Sequence, residues 1–418
     1  MSQPIEPYIS SEIGEIEAVI LHTPGQEVEN MTPGNAERAL YSDILNLPVV
    51  QEEYQQFKSV LEKLTTTFQV KDLLTEILEN QEVKTTLVDR ICTFERVTEI
   101  KNDLLSQGPA ELASHLIEGV ALKRDTLTTF LSDERYALKP LHNFFFTRDA
   151  SVTIYNDILI SKMANRVRER ETIIMEAIFR HSPRFKTSII TPMNKPDLGA
   201  ETFIEGGDIL IAREDILIVG NGVRTSTQGI DFLVNHLKKQ KRRVHIVVQQ
   251  LPDKPESFIH LDMVFTLLDK ETCMVYEPVI KHENNYGTIL MTIDNGKVEN
   301  ISRQPGLLKC LEALGMPLKA VPCGGHDLWQ QEREQWHSGA NFFAIAPGKL
   351  IGYARNVHTL EALQEEGYSV IEAENVINGT ISVDQYKKFV ITIEGSELPR
   401  GGGGARCMTM PVRRKKVM

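Results

Sequence analysis

Ser151-Val-Thr-Ile-Tyr-Asn-Asp-Ile-Leu-Ile160 is the stretch whose reading decides the fold. Two short runs of aliphatic and β-branched residues flank an Asn-Asp turn, which is the pattern of a hairpin. The charged helix Arg168 to Arg180 and the strand Ser188-Ile-Ile190 come next. The unit is therefore strand, strand, helix, strand. It returns downstream: Ile209–Ile211, the turn Arg213-Glu-Asp215 and Ile216–Val219 form a second hairpin, with a helix over Gly229–Lys238 and the strand Val244–Val248 behind it. Met263–Leu268 and Cys273–Tyr276 pair across Asp269–Thr272 in a third. Phe342–Ala346 and Leu350–Tyr353 pair across Pro347-Gly348 in a fourth, followed by the helix Thr359–Glu366 and the strand Tyr368–Ile371.

The opening strand Ile16–Leu21 and the final segments Phe389–Ile393 and Met408–Val412 would complete a ring of about five such units, since a stacked or radial repeat needs several copies to bury a shared core. The expected fold is α/β: a five-bladed αβ propeller of pseudo-symmetric ββαβ units. One block reads differently. Tyr54, Phe57, Val60 and Leu61, then Leu73, Leu74, Ile77 and Leu78, then Leu87, Val88 and Ile91, then Leu112, Leu116 and Ile117 recur at helical spacing. Residues 1–50 and 131–418 are thus expected to form the propeller domain, and 51–130 an all-helical insertion domain.

Composition excludes several function classes. Of 418 residues, 41% are hydrophobic and 25% charged, which rules out disordered, collagenous and coiled-coil chains. The formal charge of -11 repels phosphate backbones and anionic membrane surfaces, so no nucleic acid and no membrane partner is expected. The N-terminus lacks a basic region followed by an apolar run, and no stretch approaches the roughly 18 apolar residues that span a bilayer, so a cytoplasmic protein is expected. The basic run Arg413–Lys416 reads as a solvated tail. Five cysteines, Cys92, Cys273, Cys310, Cys323 and Cys407, fall at irregular spacing without a CxxC pair. Neither a disulfide framework nor a zinc site is encoded, so no metal is expected. No motif decides between a monomer and a homo-oligomer.

A polar cluster stands immediately before the first strand of each hairpin: Thr147-Arg-Asp149, Glu205-Gly-Gly-Asp208, His260-Leu-Asp262, Ser338-Gly-Ala-Asn341, and Gly401 to Cys407 before Met408. Taken singly, each has a bland reading, Asp149 as a turn cap and His260 as a bonded edge residue. In a pseudo-symmetric ring, equivalent positions converge at one end of the axis. Strand alternation in His260-Leu-Asp262 would send both polar side chains to one face and Leu261 into the packing. Gly401–Gly404 supplies no side chains and costs conformational entropy, which reads as a mobile cover. The thiol of Cys407 at its end, near His260, is a candidate nucleophile, because a neighbouring cation lowers a thiol pKa.

Asn143-Phe-Phe-Phe-Thr-Arg-Asp149, Glu205–Asp208, His260–Asp262, Glu332–His337 with Tyr353–Asn356, and Arg400 through Cys407-Met-Thr-Met-Pro411 together resemble the bacterial arginine deiminases, in order and across nearly the whole chain. That resemblance implies the five-bladed fold of the guanidine-modifying pentein superfamily with a helical insertion after the first blade. It also implies hydrolysis of the guanidinium of free L-arginine to L-citrulline and ammonia, without a cofactor. The implied catalytic residues are Cys407 as nucleophile, His260 oriented by Glu205 as proton carrier, and Asp149 and Asp262 gripping the guanidinium. The implied binding residues are Asn143, Phe146, Arg168, Arg224 and Arg400, with Arg168 and Arg224 on the α-carboxylate. Gly402 and Arg406 depart from the glycine loop of some relatives. The rival readings are an agmatine or methylarginine hydrolase, an amidinotransferase, and a silent binding protein.

Overall fold

The computed structural model of the protein describes residues 3–31, 43–193, 195, 198–281 and 286–417. Of the segment 1–50 expected in the propeller, residues 1, 2 and 32–42 lie outside the described residues, as does 418.

The deciding stretch folds as read. Ser151–Ile154 pairs antiparallel with Asp157–Ile160, and the latter pairs parallel with Ser188–Ile190 after the helix Glu169–His181. Both faces of this sheet are buried. Ile158 and Ile160 pack with Ile173, Ile174 and Ile178 of the helix, whereas Leu159, with Val152 and Ile154, meets Ile209, Leu217 and Val219 of the next unit. Burial on two sides explains the near-continuous apolar runs, where a half-exposed strand would alternate.

Each of the other units repeats the antiparallel pair and the parallel third strand. Ile209–Arg213 and Ile216–Asn221 are joined by Val244–Gln250, and Phe265–Leu267 and Thr272–Val275 by Lys319–Pro322. The second sheet gains a hairpin the repeat reading passes over, Thr288–Asp294 with Lys297–Gln304. Its turn is Asn295-Gly296, both at positive φ (47° and 80°), the strongest local hairpin signal there is.

Two expectations are corrected by the strand pairing. In the fourth sheet, Phe343–Ala346 pairs with Lys349–Tyr353, but the neighbour of the latter is Phe389–Ile393, with Ser369–Glu372 beyond it at the edge. Phe389–Ile393 therefore belongs to this unit and not to the fifth. The fifth sheet joins Met410–Arg414 antiparallel to Ile16–Leu21, and the latter parallel to Thr66–Gln69. Thr66–Gln69 lies inside the block read as all-helical, and a two-stranded ribbon, Val120–Ala121 with Tyr136–Leu138, also begins there. The helix Leu47–Leu64 is thus the crossover between two parallel strands. The helices Val70–Leu78, Gln81–Glu95, Lys101–Ser106 and Pro109–Glu118 share a core with Glu169–His181, whereas the short helix Leu127–Phe130 is exposed. Among the described residues, no helix is long and apolar enough to cross a membrane.

The crossover helix also fixes the segment leading to the glycine loop. Glu53 is buried, and its carboxylate accepts from the backbone N–H groups of Ser396, Glu397 and Leu398 at 2.5, 3.1 and 2.8 Å. Glu53→Ala is expected to orphan those donors and to cost about 2–4 kcal/mol of stability. A urea midpoint equal to that of the parent would show that the segment is held by other contacts.

Candidate active site

The polar clusters meet. Four of them sit on single turns: the helical turn Thr147–Ala150, the 3-10 turns Gly206–Asp208 and Leu261–Met263, and the turn ending at Asn341. His260-Leu-Asp262 is therefore not a strand. His260 is extended (φ −136°, ψ 160°) and the turn follows it because the Leu261 N–H donates to Asp208 Oδ1 at 2.8 Å. Leu261 still enters the core while both polar neighbours face the site.

A cavity of about 350 Å³ beside the clusters is lined by Asn143, Phe146, Asp149, Arg224, His260 and Cys407, while Glu205, Asp262 and Asn341 are buried next to that wall against His260 and Cys407. Arg168 and Trp336 are also on its wall. Arg400 is not. Its guanidinium turns outward to Asp43 and Glu397, so the structure does not bring it to the site expected for it.

The two aspartates share one arrangement. Asp149 Oδ2 accepts from Arg168 at 2.6 Å, and Asp262 Oδ2 accepts from Arg406 at 2.7 Å. The other oxygen of each, Oδ1, is buried with no hydrogen-bond partner among the described residues, as are His260 Nδ1 and Arg224 Nη1. Unpaired buried polar atoms are costly, so three of them on one cavity wall, from Asp149, His260 and Arg224, with that of Asp262 behind Cys407, mark a place for a polar ligand.

Arg168 departs from its expected role. It donates to both oxygens of Glu171 at 3.0 and 2.8 Å, to Asp149, and to the carbonyls of Asn143 and Phe146. Burial opposes its charge, but Glu171 and Asp149 hold its pKa above the ordinary value. With its donors engaged in this way, it orients Asp149 and has little capacity left for a ligand carboxylate. Arg224 keeps that capacity: its Nη1 lies 3.7 Å from Glu205 Oε1, beyond a hydrogen bond. Arg406 is held between Asp262 and Glu12, whose oxygen is 3.1 Å from Nε.

His260 Nε2 lies 2.9 Å from Glu205 Oε2, and Nδ1 lies 3.6 Å from Asp149 Oδ1. Burial alone would lower the His260 pKa, but Asp149, the bond to Glu205 and the charge of Asp208 carry it up to about 9. Burial would raise Glu205, and Arg224 and His260 instead hold it at about 2. Asp208, buried beneath them, is pushed up to about 6, chiefly by that burial. Cys407 moves opposite to expectation. Burial first, then Asp262 and Asp149, push its pKa well above that of a free thiol. The neighbouring charges are carboxylates, with Asp262 Oδ2 at 3.7 Å from the sulfur. The other four cysteines are free and buried as well.

The glycine loop is packed and not a loose cover. Gly402 takes φ +87°, a Cβ on Gly403 would sit 2.5 Å from the Phe146 ring, and one on Gly404 would sit 2.7 Å from Asn341. Close approach requires glycine at 403 and 404, whereas at 402, where a Cβ would meet nothing within 4 Å, the positive φ favours it. Asn341 and Glu12 are functional candidates to which the sequence reading gave no role. Asn341 stood in the fourth polar cluster, so position in the repeat was the available signal. Glu12 had none.

Asp149, Glu205 and His260 offer ligand atoms within 4.8 Å of one another, which is metal-like spacing. Arg168 and Arg224 beside them already supply the compensating charge. The site's ionisation links to stability with two signs. The raised His260 pKa adds stability that is complete below about pH 6.5 and is lost as pH rises through about 9. The lowered Glu205 pKa adds stability that is complete above about pH 4.5 and is lost as pH falls through about 2. The denaturation midpoint should therefore decline between pH 6.5 and 9, and His260→Ala should flatten that decline. Parallel curves for parent and variant would assign the slope to another group.

A family model described as arginine deiminase matches residues 37–414. The arginine deiminases of Bacillus cereus and Latilactobacillus sakei are each 32% identical to the chain, over 439 and 446 aligned residues, with both chains of each pair covered in full. That of Staphylococcus aureus is 31% identical over 427 residues, covering 98% of each. Solved structures with the same fold include SxtG, an amidinotransferase from Microseira wollei (TM-score 0.54, 13% identity, 99% of this chain and 98% of that one). They also include the N-terminal domain of ArgZ, a cyanobacterial arginine dihydrolase bound to product (TM-score 0.53, 14% identity, 95% and 97%). A third is the dimethylarginine dimethylaminohydrolase DDAH of Pseudomonas aeruginosa with citrulline (TM-score 0.51, 14% identity, 95% and 99%). The fold is mixed α/β with neighbours in the pentein superfamily, and the chain belongs to the arginine deiminase family.

Proposed function

We propose that the protein hydrolyses the guanidinium of free L-arginine to L-citrulline and ammonia through a covalent intermediate on Cys407. The observation that carries this reading is the pair of aspartates, each with one oxygen bound to an arginine and the other without a partner among the described residues, next to a buried thiol that lies 3.7 Å from Asp262 Oδ2. A guanidinium is planar and presents paired N–H donors, which Asp149 Oδ1 and Asp262 Oδ1 take. Arg224, with Nη1 open, takes the α-carboxylate. Asn143 and Phe146 line the pocket, and Arg168 acts by holding Asp149.

The thiol is the resting form, so the substrate supplies the activating charge. Burial raises the Cys407 pKa most, and a guanidinium between the aspartates offsets the part due to Asp262 and Asp149 and adds a cation beside the sulfur, so that the thiol proton leaves to solvent. The sulfur attacks the central carbon and a C–S bond forms. His260, protonated at neutral pH, gives its proton to a nitrogen, the C–N bond breaks and ammonia departs. Water then adds to the thiouronium, His260 accepts one of its protons, the C–S bond breaks, and the remaining hydroxyl proton is given up as the urea carbonyl of citrulline forms, returning the sulfur to its resting thiol. No step requires a metal or organic cofactor.

The same reading makes the five sheets the five blades of a ring, with the clusters at one end of its axis. The boundary of the helical insertion moves with it. Thr66–Gln69 belongs to the fifth blade, and the insertion begins at Val70. A cytoplasmic location follows from the use of a free amino acid and five reduced cysteines.

Cys407→Ser should abolish turnover while arginine binding stays within about tenfold, because a hydroxyl fills the site without a thiolate's nucleophilicity. Citrulline formed near the parental rate would remove Cys407 from the chemistry. Arg224→Ala should lower kcat/KM for arginine by at least about a hundredfold and hardly change the slow rate on agmatine, which lacks the carboxylate. Equal losses on both substrates would make Arg224 a structural residue, and agmatine turnover equal to that of arginine in the parent would change the assigned substrate.

A further inference from the structure

Asn341 closes the turn before the strand Phe343–Ala346, the place that Asp149, Asp208 and Asp262 occupy in their own units. Its side chain is buried, and its Oδ1 accepts from the backbone N–H groups of Arg406 at 2.9 Å and Cys407 at 3.1 Å. Those two donors fix which end of the amide is oxygen. Nδ2 therefore points at the Asp262 carbonyl, 3.1 Å away, and at Cys407 Sγ, 3.2 Å away.

A donor aimed at sulfur acts differently on the two protonation states. A thiol accepts a hydrogen bond weakly and a thiolate accepts it strongly, so the contact favours the anion. Burial, Asp262 and Asp149 all favour the thiol, and they cannot be dispensed with, since the aspartates face the guanidinium. A cationic donor in this place would compete with the substrate for both aspartates. A neutral amide does not. Gly404 belongs to the same device, because any side chain there would collide with Asn341.

We propose that Asn341 is a catalytic residue: its amide N–H stabilises the Cys407 thiolate during attack, and its carbonyl holds the Arg406–Cys407 backbone so that the sulfur is aimed at the bound carbon. The proposal rests on the reading of Cys407 as the nucleophile of arginine hydrolysis.

The full-length parent, Asn341→Asp and Asn341→Ser are compared in two assays, with Cys407→Ser as the blank. The first measures kcat and KM for arginine. The second measures the rate at which iodoacetamide alkylates Cys407 at fixed pH, read by mass spectrometry of the Cys407 peptide, which needs no substrate. Asn341→Asp keeps the acceptor and replaces the donor with oxygen. It should lower kcat at least about a hundredfold with KM within about threefold, and slow alkylation at least about tenfold. Asn341→Ser, which keeps a short hydroxyl, should lie between it and the parent, and it decides alone if the aspartate variant does not fold. A kcat loss below tenfold overturns the proposal, and so does a larger loss with alkylation unchanged, which would leave Asn341 as a prop for the loop. A parent inactive on arginine whose Asn341→Asp variant still alkylates slowly would overturn the substrate reading and not the role of Asn341.

Discussion

A carboxylate with one oxygen bound to an arginine and the other left open is the arrangement on which the site depends. A free carboxylate in a buried cavity would take up a proton, and a fully paired one would offer nothing to a ligand. In Asp149 and Asp262 one oxygen is paired, with Arg168 and Arg406, and the other has no partner among the described residues. Each arginine is itself tied behind the aspartate, to Glu171 and to Glu12 respectively. Arg168 and Arg406 thus stand behind the aspartates, while Arg224 and His260 stand on the cavity wall.

The same carboxylates act on the Cys407 sulfur. Burial first, then Asp262 and Asp149, favour its thiol form, so in the proposed reaction recognition of a guanidinium and reactivity of the sulfur are coupled through one pair of charges. On the proposed mechanism, selectivity comes from withholding the thiolate until a guanidinium charge arrives.

Much of this was legible in the sequence because it repeats. The hairpin at 151–160 and its copies read correctly, and so did the convergence of the clusters, since both depend on local pattern and on position within a unit. Strand neighbours did not read correctly where pairing joins distant segments. Nothing in Phe389–Ile393 says that it lies beside Lys349–Tyr353, and nothing in Thr66–Gln69 distinguishes it from the helices on either side. Side-chain direction was also out of reach. Arg168 and Arg400 are both arginines in the expected motifs, yet one is consumed by carboxylates behind the site and the other leaves it. The thiol pKa was misjudged because the charges that surround it come from three separate units.

The pairing of Ile16–Leu21 with Met410–Arg414 ties residues 400 apart in sequence, Arg414 donating to the Gly14 carbonyl. Cys407 stands just ahead of that closing strand, and Glu12, which steadies Arg406, just ahead of its partner. On the proposed function, placing Cys407 therefore depends on the pairing of these two strands. A fragment lacking either end would retain most of the units and most of the core but would leave the nucleophile unplaced. Cutting the chain instead at an exposed turn elsewhere and joining its ends across this sheet would bring the site's most distant parts into one continuous stretch, with the order of assembly reversed and the chemistry untouched.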